Sequence, residues 1–461
     1  MNRLALKIPI ARAFGAAARA TGRGGGTSLP GRVLLRLEPQ AIHELASRLT
    51  AGSAVISATN GKTTTAAVAA TILERAGRTL VHNRAGANMA GGIASTLLTA
   101  ARPGGEIAGD TGLFEVDEFW LGAVTEQVHP RAILLANLFR DQLDRYGELE
   151  TIADRWGRVV AELDDSTALV LNADDPLIAD LGRGRENVVY FGVDDNELAL
   201  AEMQHASDSK HCRRCGAPYH YDAIYLGHLG HYHCDNCGQR RPAPSVRAER
   251  ITLRGTDSAS FELMTPEGER SVSLALPGLY NVYNALAATA LCMSLGIGLD
   301  VIVEGLQSAT AAFGRAETVP IGDTTVQLLL VKNPAGANEV LRTLGLESDR
   351  LEVLAILNDN IADGRDVSWV WDADFELLSR RVRTITCSGT RAAELAVRLK
   401  YAGVPESALT VIPSLSEALD HALAGAGTNR IFALPTYTAL LELRAELAAR
   451  GHVSPYWEAR A

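Results

Sequence analysis

The chain has 461 residues, 47% apolar and 21% charged, a balance that fits a soluble globular protein of two or three domains and excludes general disorder. Its net charge of −10 excludes a general nucleic-acid binder, because affinity for a polyphosphate backbone rests on clustered lysine and arginine. Six cysteines are too few for a disulfide scaffold, and no window of about 18 uncharged apolar residues exists to span a membrane.

The first 37 residues run against the overall charge, with seven basic side chains (Arg3, Lys7, Arg12, Arg19, Arg23, Arg32, Arg36) and no acid. Apolar residues recur between them at helical spacing, so a helix is expected. It lies either on an anionic surface, such as a membrane, or on its own domain, ahead of a "GRGGGTSLPG" loop. Arginine and lysine interrupt it too often for a signal-peptide core, and a cytoplasmic chain is expected. From Ser53 to Val193 the runs "SAVISAT", "TLVHN", "GLFEVDE", "RAILLANL", "ALVLNADD" and "NVVYFGV" read as strands separated by amphipathic helices. That alternation predicts an α/β fold with a mainly parallel sheet covered on both faces. Residues 204–242 turn rich in His, Cys, Gly and Tyr. Strand-like "ERITLRG" and "ASFELMT" follow, then an Ala-rich helix after "LPGLYNVYN". A last α/β segment starts near Val319 with "VQLLLV", "VLAIL", "TITCSG" and "IFALP". The expected organisation is a basic segment over 1–50, a nucleotide-binding central domain over 51–318 with an insertion at 204–242, and a C-terminal α/β domain over 319–461.

Three stretches carry chemistry. "SAVISATNGKTTTAAVAA" is a strand, a tight turn and a helix opening on three threonines. Unpaired N–H groups and the positive dipole end at such a helix start attract phosphate. Lys62 reaches the terminal phosphates and Thr63 is placed for Mg²⁺. The strict P-loop pattern fails, since the early glycine position is Ile56. Further on, Cys212, Cys215, Cys234 and Cys237 form two C-x2-C pairs 18 residues apart. Two such knuckles present four thiolates to one structural Zn²⁺ in a closed, non-catalytic site. The nearby His211, His228, His231 and His233 are expected on the surface of this ribbon. Finally, "LNDNIADGRDVSWVWDADFE" places six carboxylates (Asp359, Asp363, Asp366, Asp372, Asp374, Glu376) beside Trp369 and Trp371. A metal site, a general base, a partner surface and a solvated loop all stay open from composition alone.

"TNGKTTT" resembles the nucleotide loop of the Mur ligases and folylpolyglutamate synthases, with Ala58 where that family usually has glycine. More of the family pattern follows in order: "FEVDE", "NLFRDQLDRYGE" with Asn137, Asp141 and Asp144 in register, "LNADDP", "LPGLYNVYNALAA" and "FGRAE". The resemblance implies a Mur-ligase-like central domain that holds ATP through Thr59, Asn60, Gly61, Lys62, Thr63, Thr64, Asn281, Asn284 and Arg315, with Mg²⁺ on Thr63 and Glu115. Two departures stand out. Gln142 replaces the usual histidine, and no lysine lies between Lys62 and Lys210 to supply the carbamylated lysine of amino-acid-adding ligases. A second Mg²⁺ site must therefore be built differently or be absent.

A zinc ribbon inside such an ATPase, followed by "VKNPAGANEVL", "CSGTRAAELAVRLKYAG" and "ALPTYTALLEL", resembles the MurT-type subunit of lipid II isoglutaminyl synthase. That family implies ATP-dependent amidation of the α-carboxylate of D-glutamate in the lipid II stem peptide, in peptidoglycan biosynthesis, through an acyl phosphate. Lys62 and Glu115 serve the phosphoryl transfer. Neither Cys292 nor Cys387 sits in a nucleophile turn, so ammonia is expected from a separate class I amidotransferase, a GatD-type glutaminase forming a heterodimer. By motif position Asp366, with Asp363 second, completes that partner's Cys-His pair, and Trp369 and Trp371 belong to the docking surface or to the core. The lipid-linked substrate implies peripheral contact at the inner face of the membrane. The alternative enzyme is an amino-acid-adding ligase, whose DxxxHNP motif reads "LVKNPAG" here. The alternative outside enzymes is a zinc-ribbon adaptor on nucleic acid.

Overall fold

The computed structural model describes residues 3–20, 28–84, 87–141, 149–204, 207–310, 315–427 and 429–454. Among these residues eleven strands are formed before residue 275: β1 (Ser53–Ser57), β2 (Leu80–His82), β3 (Thr111–Glu115), β4 (Ala132–Leu135), β5 (Ala168–Asn172), β6 (Val188–Val193), β7 (His220–Leu226), β8 (Leu229–His233), β9 (Val246–Arg254), β10 (Ser258–Thr265) and β11 (Gly268–Leu274). Nine of them make one sheet in the order β11-β10-β9-β6-β5-β4-β1-β3-β2. Pairing is parallel from β2 through β9 and antiparallel from β9 to β11. The chain leaves β1 toward β2 and β3 on one side and then crosses to β4 on the other. The C-terminal end of β1 is thus a topological switch point, where open α/β sheets hold ligands.

Both faces of this sheet are covered, which is why its strands read as continuous apolar runs. In β1, Ala54 and Ile56 enter one core cluster while Val55 enters the opposite one; in β4, Leu134 and Ile133 divide in the same way. The hairpin β7–β8 occupies the crossover between β6 and β9 and forms a separate two-stranded sheet. A second sheet of six strands follows: β12 (Arg315–Ile321), β13 (Thr324–Leu329), β14 (Leu351–Ile356), β15 (Val382–Ser388), β16 (Leu409–Val411) and β17 (Arg430–Pro435), in the order β12-β13-β17-β14-β15-β16. It is parallel except for the β12–β13 hairpin. Within β14, Val353 and Ala355 face one core and Leu354 and Ile356 the other.

The basic N-terminal segment is helical, as α1 (Arg3–Ala20), and is docked on its own domain. Leu4, Ile8 and Ala11 are buried in the same core as α2 (Leu29–Leu37), α3 (Ala41–Ala46) and α5 (Ala90–Ala100). Burying a leucine or isoleucine is worth about 1.5–3 kcal/mol, more than the partly exposed Lys7–Glu38 pair at 2.7 Å can supply, so packing holds this helix. Arg12 adds a hydrogen bond to the carbonyl of Leu98 at 2.8 Å. Among the described residues no helix is long and apolar enough to cross a membrane.

The contact between α2 and α5 depends on Gly31, whose N–H donates to Ser95 Oγ at 2.8 Å and whose missing Cβ would overlap the Gly91 carbonyl and the Ser95 backbone nitrogen. Substitution Gly31→Ala is expected to cost about 1–3 kcal/mol by overpacking. Calorimetry should show this as a fall in Tm of about 2–10 °C. Gly345→Ala, where a Cβ meets open space, should leave the transition in place.

Candidate active site

The turn that follows β1 is shaped by Gly61, which lies at φ +84° and caps the helix α4 (Lys62–Arg75). A side chain there would collide with Asn284 Oδ1, so the position is closed to other residues by both backbone and space. Asn137, at the end of β4, braces the turn: its Oδ1 accepts from Asn60 N–H at 2.9 Å and its Nδ2 donates to the Asn60 carbonyl at 3.0 Å. The free N–H groups of the helix start therefore face a fixed space.

That space is a cavity of about 390 Å³, within the range of small-molecule sites, walled by both sheets. Thr59, Asn60, Gly61, Lys62, Thr63, Thr64, Glu115 and Asn284 all line it, as the sequence motifs predicted them to converge. Asn281 does not: it donates to the Pro277 carbonyl at 2.7 Å and accepts from Asn284 Nδ2 at 3.0 Å, supporting Asn284 from behind. Arg315 opens β12, but its side chain lies outside the described residues, as do Gln142 and Asp144.

Lys62 is buried, 3.0 Å from Glu118 Oε2, and also donates to the Ala58 carbonyl. Burial alone would lower its pKa, but Glu118, Glu115 and Asp117 together outweigh burial and hold the ammonium charged above its ordinary range. Glu118 was not singled out in the sequence, where "FEVDE" was matched at Glu115 alone. Glu115, Asp117 and Glu118 are all buried, and three carboxylates against one ammonium leave the excess negative charge that a divalent cation satisfies. Residues, cradle and charge thus fit a nucleoside triphosphate with its metal ion.

The C-terminal sheet closes the cavity. Lys332, three residues beyond β13, reaches Asp141 Oδ2 at 2.5 Å and the Thr59 carbonyl at 3.3 Å. Asn333 and Asn60 exchange side-chain hydrogen bonds at 3.0 and 3.3 Å. The sequence signalled neither contact, because they join positions 191 and 273 residues apart. Cys292 and Cys387 are both buried, and burial pushes the Cys387 thiol up to about 12, so neither is an activated nucleophile.

Asp366 is exposed and stands in a cleft of about 60 Å³ that shares Asp141 and Lys332 with the main cavity. The hydroxyl and N–H of Ser368 hold its carboxyl below the usual range. Asp363 is different: it is buried and accepts from Thr438 N–H at 2.7 Å and Thr438 Oγ1 at 2.5 Å, tying the loop to the helix Tyr437–Ala449. Burial raises its pKa against those hydrogen bonds. Asp359 pairs with Arg391 and Glu376 with Arg398. Trp369 is partly buried, whereas Trp371 is 52% exposed and packs in a tilted contact with the 75% exposed Tyr401, with ring centroids 5.8 Å apart.

The four ribbon cysteines converge, with all four sulfurs within 4.8 Å of one another. Gly216 and Gly238, at φ +75° and +74°, close the two knuckles by donating to the carbonyls of Cys212 and Cys234. Tetrahedral Zn–S bonds of about 2.3 Å put sulfurs roughly 3.8 Å apart. The observed 3.5 Å for Cys212–Cys237 and for Cys215–Cys234 fits such a set. The expectation of surface histidines fails at His228, which is fully buried at the hairpin tip, packed on Phe139 and 3.3 Å from Asp175. The tip is apolar on both sides, with Leu226 and Leu229 lining the main cavity, so the hairpin has to insert rather than lie outside. Zinc analysis of the purified chain should find one ion per chain, and the double variant Cys212→Ala/Cys234→Ala should hold none. Because the hairpin tip forms a cavity wall, the double variant should also bind nucleotide at least about tenfold more weakly, read by fluorescent-nucleotide titration.

Two family descriptions match the chain: the Mur ligase middle domain over residues 56–238 and the MurT ligase C-terminal domain over residues 330–440. The lipid II isoglutaminyl synthase (glutamine-hydrolyzing) subunit MurT of Streptococcus pneumoniae is 34% identical over 431 residues, covering 93% of each chain. The protein of the same name from Staphylococcus aureus is 34% identical over 443 residues, 95% of this chain and 97% of that one. Among solved structures, a pseudomurein peptide ligase type C from Methanothermus fervidus shares the fold with a TM-score of 0.65 at 23% identity, covering 87% of this chain and 78% of its own. With a third of its residues shared with relatives of nearly equal length, and with both family descriptions matched on the domains that meet at the cavity, the chain belongs to the MurT family, on the Mur ligase fold.

Proposed function

We infer that this chain is the synthetase subunit of a lipid II isoglutaminyl synthase. It uses ATP and Mg²⁺ to amidate the α-carboxylate of D-glutamate in the stem peptide, with ammonia from a separate GatD-type glutaminase. The observation that carries the reading is one cavity in which the phosphate turn, a buried carboxylate cluster and the C-terminal sheet meet, beside an exposed loop bearing Asp366.

A carboxylate is a poor acceptor for ammonia until one oxygen becomes a leaving group. An oxygen of the substrate α-carboxylate bonds to the terminal phosphorus of ATP while the bond to the bridging oxygen breaks. Ammonia then attacks the acyl carbon, phosphate departs and a proton is lost. The N–H groups from Thr59 to Thr64 bind the phosphates, and Lys62, held charged by Glu118, spreads the charge of the transferring group. Glu115 and the Thr63 hydroxyl are the residues for Mg²⁺, which supplies Lewis-acid polarisation of the phosphoryl oxygens. Asn284 holds the nucleotide side of the turn, and Arg315 is assigned to the γ-phosphate by its motif. The four cysteines hold structural zinc.

Ammonia requires the partner, since both cysteines outside the ribbon are buried. Asp366 is the carboxylate we assign to orienting the partner's histidine; its exposure and depressed pKa support this, and the buried ties of Asp363 argue for a structural role there. The partner docks on this domain, which exposes the apolar side chains of Trp371, Tyr401, Val397 and Leu377. At the opposite end of the chain, Leu6, Ile10 and Phe14 recur four residues apart on the outer side of α1, exposed by 62%, 47% and 56%. This stripe supports peripheral contact with the membrane that carries the lipid-linked substrate.

With the partner present, Asp366→Asn should lower glutamine-driven amidation at least about 100-fold while ammonium-driven amidation stays within about threefold. Both rates are read as isoglutamine formed on lipid II by mass spectrometry. Equal loss of the two would remove Asp366 from the glutaminase site.

A further inference from the structure

Asp141 lies at the edge of the cavity that also borders the Asp366 cleft. Among the described residues its Oδ1 is buried without a hydrogen-bond partner, and its Oδ2 is 2.5 Å from Lys332 Nζ. The same ammonium donates to the carbonyl of Thr59, the residue that begins the phosphate turn. Beside it, the amide exchange between Asn333 and Asn60 fixes the backbone that carries Lys332 against the backbone that carries the turn. No lysine lies between Lys62 and Lys210, so a lysine ammonium at Asp141 has to come from outside this stretch, and the C-terminal sheet delivers it.

Opposite unit charges in contact cancel most of each other's field. An ammonium seated on Asp141 therefore removes the negative charge that a second divalent ion needs there, while Glu115, Asp117 and Glu118 keep theirs on the other side of the turn. Building on the amidation reading above, we propose that Lys332 is the second fixed cation of this site, in place of a second divalent ion. It is a catalytic residue that meets the substrate carboxylate as its oxygen bonds to the terminal phosphorus. Lys332 keeps its proton throughout: its role is to neutralise oxygen charge in the transfer, and the proton lost when ammonia is acylated leaves with phosphate or solvent. The active geometry accordingly requires both sheets, because the phosphate turn holds one of the two lysines and the C-terminal sheet the other.

The test uses the full chain without its partner, with ammonium as the amide donor. Manganese counted by electron paramagnetic resonance with a non-hydrolysable ATP analogue should give one tightly bound ion per unaltered chain; two would overturn the proposal. Lys332→Met should lower kcat with ammonium about 100-fold while affinity for the analogue stays within about threefold, which also shows that the variant is folded. Lys332→Arg should recover at least about tenfold over the methionine variant. Turnover of Lys332→Met within threefold of the unaltered chain, or a parallel loss of analogue affinity that marks a purely structural contact, would defeat the assignment. Failure of the unaltered chain to form amide would defeat the amidation reading instead, while the metal count, which needs no acceptor, still decides the cation question.

Discussion

Everything functional in this molecule hangs on one seam, where the turn after β1 meets the residues that follow β13. The phosphate turn is held from its own side by Asn137 and from the far side by Asn333 and Lys332. Each contact is made of two polar interactions between groups largely withdrawn from water, so an unmade bond costs about 1–3 kcal/mol and a mismatch is strongly disfavoured. The cavity has its full set of walls only when the seam is closed, since residues of both sheets and of the cysteine hairpin line it. The four-cysteine hairpin, whose chemistry gives it no catalytic role, thus enters the site by position, as Leu226 and Leu229 form part of the wall.

Much of this was legible in the sequence because it is local. The strand–turn–helix at Ser53–Arg75, the paired C-x2-C spacings and the apolar runs of the central strands depend on residues within a few positions of each other, and the structure has them where the pattern put them. Short or polar strands escaped: β11, β12 and β16 carry too few consecutive apolar residues to stand out, and their pairing is decided by the sheet they join. The closing contacts escaped for a different reason. Lys332 sits in "VKNPAGANEVL", which carries the family resemblance and departs from an Asp- and His-containing motif, but nothing local says that it will reach Asp141. Glu118 was hidden by its neighbour, since Glu115 ends β3 and fits the motif while Glu118 reaches the lysine from the loop beyond. His228 was misplaced because ribbon histidines are usually solvated, and only the apolar tip around it marks it as inserted.

The acidic stretch 357–376 shows how composition misleads and geometry sorts. Six carboxylates suggest a metal cage, yet Asp359 and Glu376 are neutralised by Arg391 and Arg398, and Asp363 is tied to the start of the helix Tyr437–Ala449. Of the rest, Asp366 and Asp372 line a cleft with Trp369, bordering the same Asp141 and Lys332 that close the main cavity, and Asp366 is the one the motif singles out. The residue assigned to the partner's chemistry and the residues assigned to this chain's chemistry therefore lie on two sides of one ion pair.

The central claim is that this cavity activates a carboxylate by phosphorylation. Its most direct measurement follows oxygen: lipid II with ¹⁸O in the α-carboxylate of D-glutamate is turned over with ATP, Mg²⁺ and ammonium. The account predicts that the released phosphate carries one ¹⁸O per amide formed. Unlabelled phosphate alongside amide product would contradict it.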